Sequence, residues 1–349
     1  MIFLVLLNSL VLKASEGESK GKKFNAVETI MHHIQDAHEW HLFGEGETSA
    51  TLPLPVILYT NGNLVSFMSS EFHHDDSGKH IVEKNGQKFV KYHEKIYYAR
   101  EINEHGSYIE SSKDGHTVLN DKPIDFSITK NVLAIFISAI IMLLVFTNMA
   151  GAYKKRFMPK STLGKALEPL ILYIRDNVII PNIGEKNATA FTPFLLTVFF
   201  FIWINNLLGL LPGSANVTGN IAVTMVLALI TLVVTNINGK SGYWSHIFTP
   251  HVPKLLYPIM IPVEIMGILT KPFALMMRLF ANITAGHIMI LSLISLIFIF
   301  KSEYVAFGSI PLALFVYTLE LLVAALQAYI FTVLTALYIG MALQEKEHH

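Results

Sequence analysis

No cysteine occurs among the 349 residues. Disulfides, iron–sulfur clusters and thiol catalysis are therefore excluded, while the redox compartment stays open. Charge is scarce as well. Lys and Arg total 26, Asp and Glu total 26, and charged residues make up only 15% of the chain. A balance of zero gives no sign of a nucleic-acid partner. There is no G-x-x-x-x-G-K-[ST] loop to cradle a nucleotide phosphate, so no ATP site and no cofactor is implied. Neither the H-E-x-x-H helix of a metalloprotease nor a nucleophile with a paired base occurs in the apolar runs, and "HEWH" at 38–41 has the wrong spacing. No internal repeat of fixed period is present. What the chain does have is apolar residues, 52% of the total. That is the profile of a membrane protein.

The apolar residues are unevenly spread. Residues 16–125 are polar and histidine-rich, whereas residues 126–349 hold nearly all the long apolar runs. The start, "MIFLVLLNSLVLKASEG", has an apolar core too short to span a bilayer and suits a signal peptide over 1–15, although no basic segment precedes it. Read as a signal or as a retained anchor, it places residues 16–125 outside the cytoplasm. Residues 25–43 carry Ile30, Ile34 and Ala37 on one helical face, which predicts an amphipathic helix. Two β-rich runs follow, each divided by Asn-Gly, at Asn61-Gly62 and Asn85-Gly86. Asn-Gly is the strongest short hairpin signal, so a small, mostly β, exported domain is expected up to about Asp125. The group His73, His74, Asp75, Asp76 and His80 reads as a solvated polar loop, with a metal site as the lesser alternative.

The remainder reads as an all-α polytopic membrane domain of about five membrane helices plus an interfacial helix. The first span is expected from about Ile128 to Ala150. The cluster Lys154, Lys155, Arg156 and Lys160 after it marks a cytoplasmic loop by the positive-inside rule. "GKALEPLILYIRDNVI" is too interrupted to span and reads as the interfacial helix. Further spans are expected at 191–211 and 220–236, the latter followed by a cytoplasmic loop. Residues 257–300 and 308–343 form a long, tilted hairpin joined by "KSEYVAFG". The first arm far exceeds the ~20 residues a perpendicular span needs. It must tilt, lie partly in the membrane plane or break, and Pro258, Pro262 and Pro272 predict local bends.

Few polar groups interrupt that hairpin: Glu264, Lys271, Arg278, Asn282 and His287 in one arm, Glu320 and Gln327 in the other. The midpoints of Arg278/Gln327 and of His287/Glu320 both fall between 302 and 304, inside the turn. An antiparallel hairpin therefore sets Arg278 level with Gln327 and His287 level with Glu320, the two levels roughly 10–13 Å apart. Glu264 lies on nearly the same helical face as Arg278, toward the cytoplasm. Glu and His exchange protons, whereas Arg, with a pKa above ~12, does not. An arginine between exchanging groups reads as an electrostatic gate. Structural readings stand beside this one: a snorkelling Arg278, a packing histidine bonded to a carbonyl, a Glu264–Lys271 ion pair, and Gln327 as interhelical glue.

"LTKPFALMMRL", "MMRLFANITAGH" and "LQAYIFTVLTALYI" resemble the a-subunit family of F-type ATP synthases, as do "NNLLGLLPG" and the segment from "KKR" to "GKALEPLILYIRD". The likeness covers about residues 128–345. "IMHHIQDAHEWHL" faintly resembles the family's N-terminal helix, and residues 50–125 look like an insertion. The resemblance implies a static subunit carrying protons through two offset half-channels against a rotating ring of c subunits. Arg278 would be the essential arginine facing that ring, with Asn282 and Gln327 as polar neighbours. Glu264 would serve the cytoplasmic half-channel. His287 and Glu320 would form a coupled pair in the outer one, in the order of mitochondrial rather than many bacterial members. Asn220 stands where some members carry an acid. The implied partners are the c-subunit ring, the b-subunit peripheral stalk, the remaining ATP synthase subunits and the lipid bilayer. The implied location is the bacterial inner membrane, with the N-terminal domain periplasmic and the C-terminus cytoplasmic. The alternative, a self-contained ion channel or secondary transporter, predicts repeats and a complete pore within one chain.

Overall fold

The computed structural model describes residues 35–43, 50–103, 106–110, 112, 117–155, 162–211, 213–249 and 253–344. The stretch 1–15 read as a signal peptide and residues 25–34 of the expected amphipathic helix lie outside these. Where that helix was expected to continue, the chain is instead a strand: β1 (Glu39–Phe43) pairs antiparallel with β2 (Ala50–Pro53). Backbone pairing with a later segment outweighs the local helical period there.

Both Asn-Gly hairpins form. β3 (Pro55–Thr60) pairs with β4 (Asn63–Met68), and β5 (Val82–Lys84) with β6 (Gln87–Tyr92). Asn61 and Gly62 have φ of 47° and 82°, Asn85 and Gly86 have 50° and 75°. Two successive positive φ values are what the type I′ turn requires, and Asn and Gly tolerate them best. A third hairpin joins β6 to β7 (Lys95–Tyr98) through His93 and Glu94, whose φ values are also positive. Together with β8 (Ile124–Asp125) the strands make two three-stranded sheets, ordered β4-β3-β8 and β5-β6-β7. Their inward residues, including Val56, Leu58, Phe67 and Phe89, share one core with Phe72 of the short 3-10 turn after β4. Each such side chain contributes about 1.5–3 kcal/mol on burial.

β8 runs almost directly into α1 (Lys130–Lys155). α2 (Thr162–Ile174) continues through one π-helical turn, Arg175–Ile179, into α3 (Ile180–Ile183). α2 falls short of a span. Leu163, Leu172 and Tyr173 are exposed, whereas Ile174, Val178, Ile179 and Ile183 are buried in the helical core. This is the one-sided pattern of a surface helix. α4 (Glu185–Gly209) and α5 (Ile221–Ile237) follow, and Asn220 caps α5 by accepting a hydrogen bond from Ala222 N at 2.9 Å. The loop expected after α5 holds a further helix, α6 (Ser241–Phe248), bent by 102° from it. Among the described residues, four helices are long and apolar enough to cross a membrane, or five if α5 and α6 make one span.

The last two helices form the expected hairpin and correct one expectation, the length of its turn. α7 (Tyr257–Phe300) runs unbroken for 44 residues, with Pro262 and Pro272 inside it. α8 (Glu303–Leu343) begins earlier than expected, so the residues read as a loop are mostly helix and only Lys301 and Ser302 join the two arms. At 1.5 Å per residue α7 is about 66 Å long, roughly twice the hydrocarbon thickness of a bilayer. α8 packs along α4 and α3 through a core that includes Leu195, Phe199, Ala328, Phe331 and Ile339.

Candidate functional site

The short turn fixes the register of the α7/α8 hairpin. His287 Nδ1 lies 2.7 Å from Glu320 Oε1, as the spacing predicts. Gly286 makes the approach possible, because a Cβ there would stand 2.8 Å from the Glu320 carboxyl. The other ring nitrogen, His287 Nε2, is 3.0 Å from the carbonyl of Gly209 at the end of α4. A carbonyl only accepts, so Nε2 carries a hydrogen. Nδ1 then has two options. Protonated, it donates to the Glu320 carboxylate; unprotonated, it accepts from the neutral carboxyl. One proton is held in either arrangement. The packing reading of His287 and the pairing reading are thus both realised, one by each nitrogen. Glu320 is 4% exposed, and its Oε2 is buried without a hydrogen-bond partner among the described residues. A buried acceptor left unpaired costs about 1–3 kcal/mol.

Arg278 lies nine residues before His287 on α7 and is exposed. Among the described residues it makes no hydrogen bond or ion pair, and it acts electrostatically on Tyr338. Asn282, one turn on, is exposed too. Gln327 is only 5% exposed, so the residue expected level with Arg278 is turned into the bundle while the arginine is not. The Glu264–Lys271 pair does not form. Glu264 Oε1 lies 4.0 Å from His246 Nδ1 on α6, and Lys271 Nζ sits 5.4 Å above the Tyr338 ring.

A polar set on α4 and the α4–α5 loop was not singled out from sequence. Asn206 Nδ2 donates to the Ala324 carbonyl on α8 at 3.0 Å, and Thr218 Oγ1 donates to Asn206 Oδ1 at 2.6 Å. Asn205 Nδ2 donates to Ser138 Oγ on α1 at 3.1 Å. Thr284 Oγ1, one turn before His287, donates to the Gly219 carbonyl at 3.4 Å. These bonds tie α4 and the α4–α5 loop to α1, α7 and α8, the last two being the helices that carry His287 and Glu320. The signal for them was two adjacent asparagines in an apolar span, where a polar residue is costly.

No group of three metal-ligating side chains occurs among the described residues. Asp75, in the histidine-rich loop, is occupied by the backbone: its oxygens accept from the N–H groups of Ser77, Lys79 and His80 and from Ser77 Oγ. These bonds hold its carboxyl below the usual range although burial alone would raise it.

The family model described as ATP synthase A chain matches residues 132–340, and one described as Domain of unknown function (DUF8433) matches residues 29–126. The chain is 43% identical over 256 residues to ATP synthase subunit a of Myxococcus xanthus, a match spanning 72% of this chain and 82% of that one. It is 48% identical over 231 residues to ATP synthase subunit a of Chloroherpeton thalassium, spanning 64% and 69%. With the subunit a of an Anaeromyxobacter species it shares 44% over 260 residues, spanning 72% and 62%.

Proposed function

The chain belongs to the ATP synthase subunit a family, and from that premise we propose that Arg278 is the gate between two offset proton half-channels facing a rotating c-subunit ring. A member of this family is a non-catalytic, multi-pass subunit of the bacterial membrane that works in proton translocation and has the other ATP synthase subunits as partners. The observation that carries the finer reading is the state of Arg278: exposed on an apolar helix and unpaired among the described residues. A permanent cation there needs a counter-charge from outside the chain. A carboxylate moving past on the c ring supplies one.

In this reading a proton enters from outside through the His287–Glu320 pair. The pair holds one proton in two interchangeable ways, and Glu320 Oε2 is where it is passed on. The proton neutralises a c-subunit carboxylate, which then faces lipid at tolerable cost. After the ring has turned, that carboxyl gives up its proton on the side of Glu264 and returns past Arg278 as an anion. Asn282 and Gln327 assist as polar neighbours. Each elementary charge crossing 100 mV supplies about 2.3 kcal/mol. Arginine suits the gate because burial does not neutralise it, as it does lysine. Residues 16–125 form the periplasmic domain, residues 126–349 the translocating domain, the C-terminus is cytoplasmic, and the b-subunit stalk holds the subunit static. A self-contained channel or transporter would have no need of an arginine facing outward without a partner.

The test is ATP-driven proton pumping in membrane vesicles carrying Arg278→Ala, with passive proton permeability measured alongside. Pumping is expected to vanish while the complex assembles, with permeability unchanged or raised. Pumping near the wild-type rate would overturn the gate.

A further inference from the structure

The N-terminal domain is fastened at two places to the helical part. At the first, Asp36 Oδ2 accepts from Thr129 Oγ1 at 2.9 Å and Asp36 Oδ1 from Asn131 N at 3.2 Å, gripping the start of α1. Within the domain, His38 Nε2 lies 2.9 Å from Asp125 Oδ2 of β8, and its Nδ1 3.1 Å from the Glu94 carbonyl. At the second, Trp40 Nε1 donates to the Gly213 carbonyl at 2.7 Å. The indole also packs against the cluster of Ala134, Ala215 and Val217, with Ile135 and Val223 beside it. Ala215 and Val217 are fully buried there.

The second contact falls on the segment that meets the candidate site. Within three residues of Val217 the loop bonds α4 through Thr218–Asn206 and α7 through Gly219–Thr284. Asn216 Oδ1 closes it by accepting from Gly219 N at 2.9 Å. At its near end Gly209 holds His287. Trp40 thus clamps a loop that also bonds Asn206 on α4 and Thr284, one turn before His287 on α7.

We propose that the N-terminal domain is a brace for the outer proton entrance, and that Trp40 is a positioning residue acting through the 213–219 loop. That the domain braces the 213–219 loop stands on the contacts alone; that this loop borders a proton entrance, and that Trp40 positions its groups, rests on the proton-path reading of His287 and Glu320. A tryptophan suits the task because it offers a large apolar face together with one directed N–H. Held by the indole, the loop keeps Thr218 on Asn206 and Gly219 on Thr284. Released, it gains freedom at the groups that orient the pair.

The test exploits the absence of cysteine. Ala215→Cys places a thiol in the cluster against which the indole packs, and maleimide labelling of this subunit in the purified, detergent-solubilised ATP synthase reports its exposure. Adding Trp40→Ala is expected to speed labelling at least tenfold, and Trp40→Phe less. Equal labelling rates in all three would overturn the brace. Proton flow through vesicles stripped of the catalytic sector is then measured for Trp40→Ala and Trp40→Phe without the thiol. A several-fold fall for Trp40→Ala, partly restored in Trp40→Phe, with a shifted pH profile, is expected. Faster labelling with unchanged flow and pH profile would overturn the positioning role alone. The Arg278→Ala pumping assay is independent of both outcomes, so failure of the gate is seen separately.

Discussion

At the scale of single residues, the hydrogen bond between His287 and Glu320 depends on one missing side chain. Gly286 faces the Glu320 carboxyl, whose Cδ and Oε1 would each lie 2.8 Å from an added Cβ. Gly267, on the same helix, has open space at the equivalent point. Gly286→Ala is therefore expected to push the carboxyl off Nδ1 and lower proton flow roughly tenfold, a barrier change of about 1.4 kcal/mol. Gly267→Ala, of equal helical propensity gain, should leave flow unchanged. Flow measured in stripped vesicles for both variants checks this, and equal rates would remove the argument from Gly286. Much of this pairing was legible in the sequence. Spacing about a short turn set His287 against Glu320, because two helices of one rise per residue keep register over many residues. The same rule placed Arg278 level with Gln327 and missed their difference in burial. Level follows from rise alone, whereas facing depends on helix rotation and on neighbours elsewhere in the chain.

At the scale of elements, legibility followed the range of the interactions. The Asn61-Gly62 and Asn85-Gly86 hairpins were readable because a type I′ turn is decided by two residues. β1 was not, because Glu39–Phe43 becomes a strand only against β2. Nor was the α4–α5 polar set, whose partners lie on α1, α7 and α8. The hairpin turn at Lys301 was shorter than read, since apolar periodicity cannot separate a loop from a helix end that is exposed. Packing of α8 on α3 shows how strict such long-range contacts are. A Cβ on Gly340 would overlap the backbone carbonyl of Asn182. Backbone cannot swing aside as a side chain can. Gly340→Ala is thus expected to force the two helices apart, at a cost of about 1–3 kcal/mol or somewhat more. The thermal midpoint of the solubilised complex should fall by several degrees, and an unchanged midpoint would mean that the helices already stand farther apart.

At the scale of the whole molecule, two carboxylates near the junction depend on pH in opposite ways: Asp36 binds the start of α1, and Asp125 ties His38 to β8 within the N-terminal domain. Asp125 is pushed upward by burial, but hydrogen bonds from His38 and Ser127 outweigh this and hold it below the ordinary carboxylate value of about 3.9. Its contribution is present above that value and is lost as pH falls through the lowered folded one. Asp36 is raised, burial outweighing its bonds to Thr129 and Asn131 and the nearby charges of Lys130 and His38. Its contribution is complete below about 3.9 and declines as pH rises through the raised folded value. At neutral pH the His38–β8 tie therefore leans on Asp125. Asp125→Asn is expected to cost on the order of 1–2 kcal/mol at pH 7, and the difference from wild type should shrink as the medium is acidified. Asp36→Asn should be the milder change at pH 7, and wild type should gain on it as pH falls. The readout is the temperature at which protease first cleaves the N-terminal domain of the intact complex, scanned from pH 7 down through the carboxylate range. Parallel curves for the two variants would mean that the junction is held by its apolar contacts, Trp40 above all, and that neither carboxylate sets its pH response.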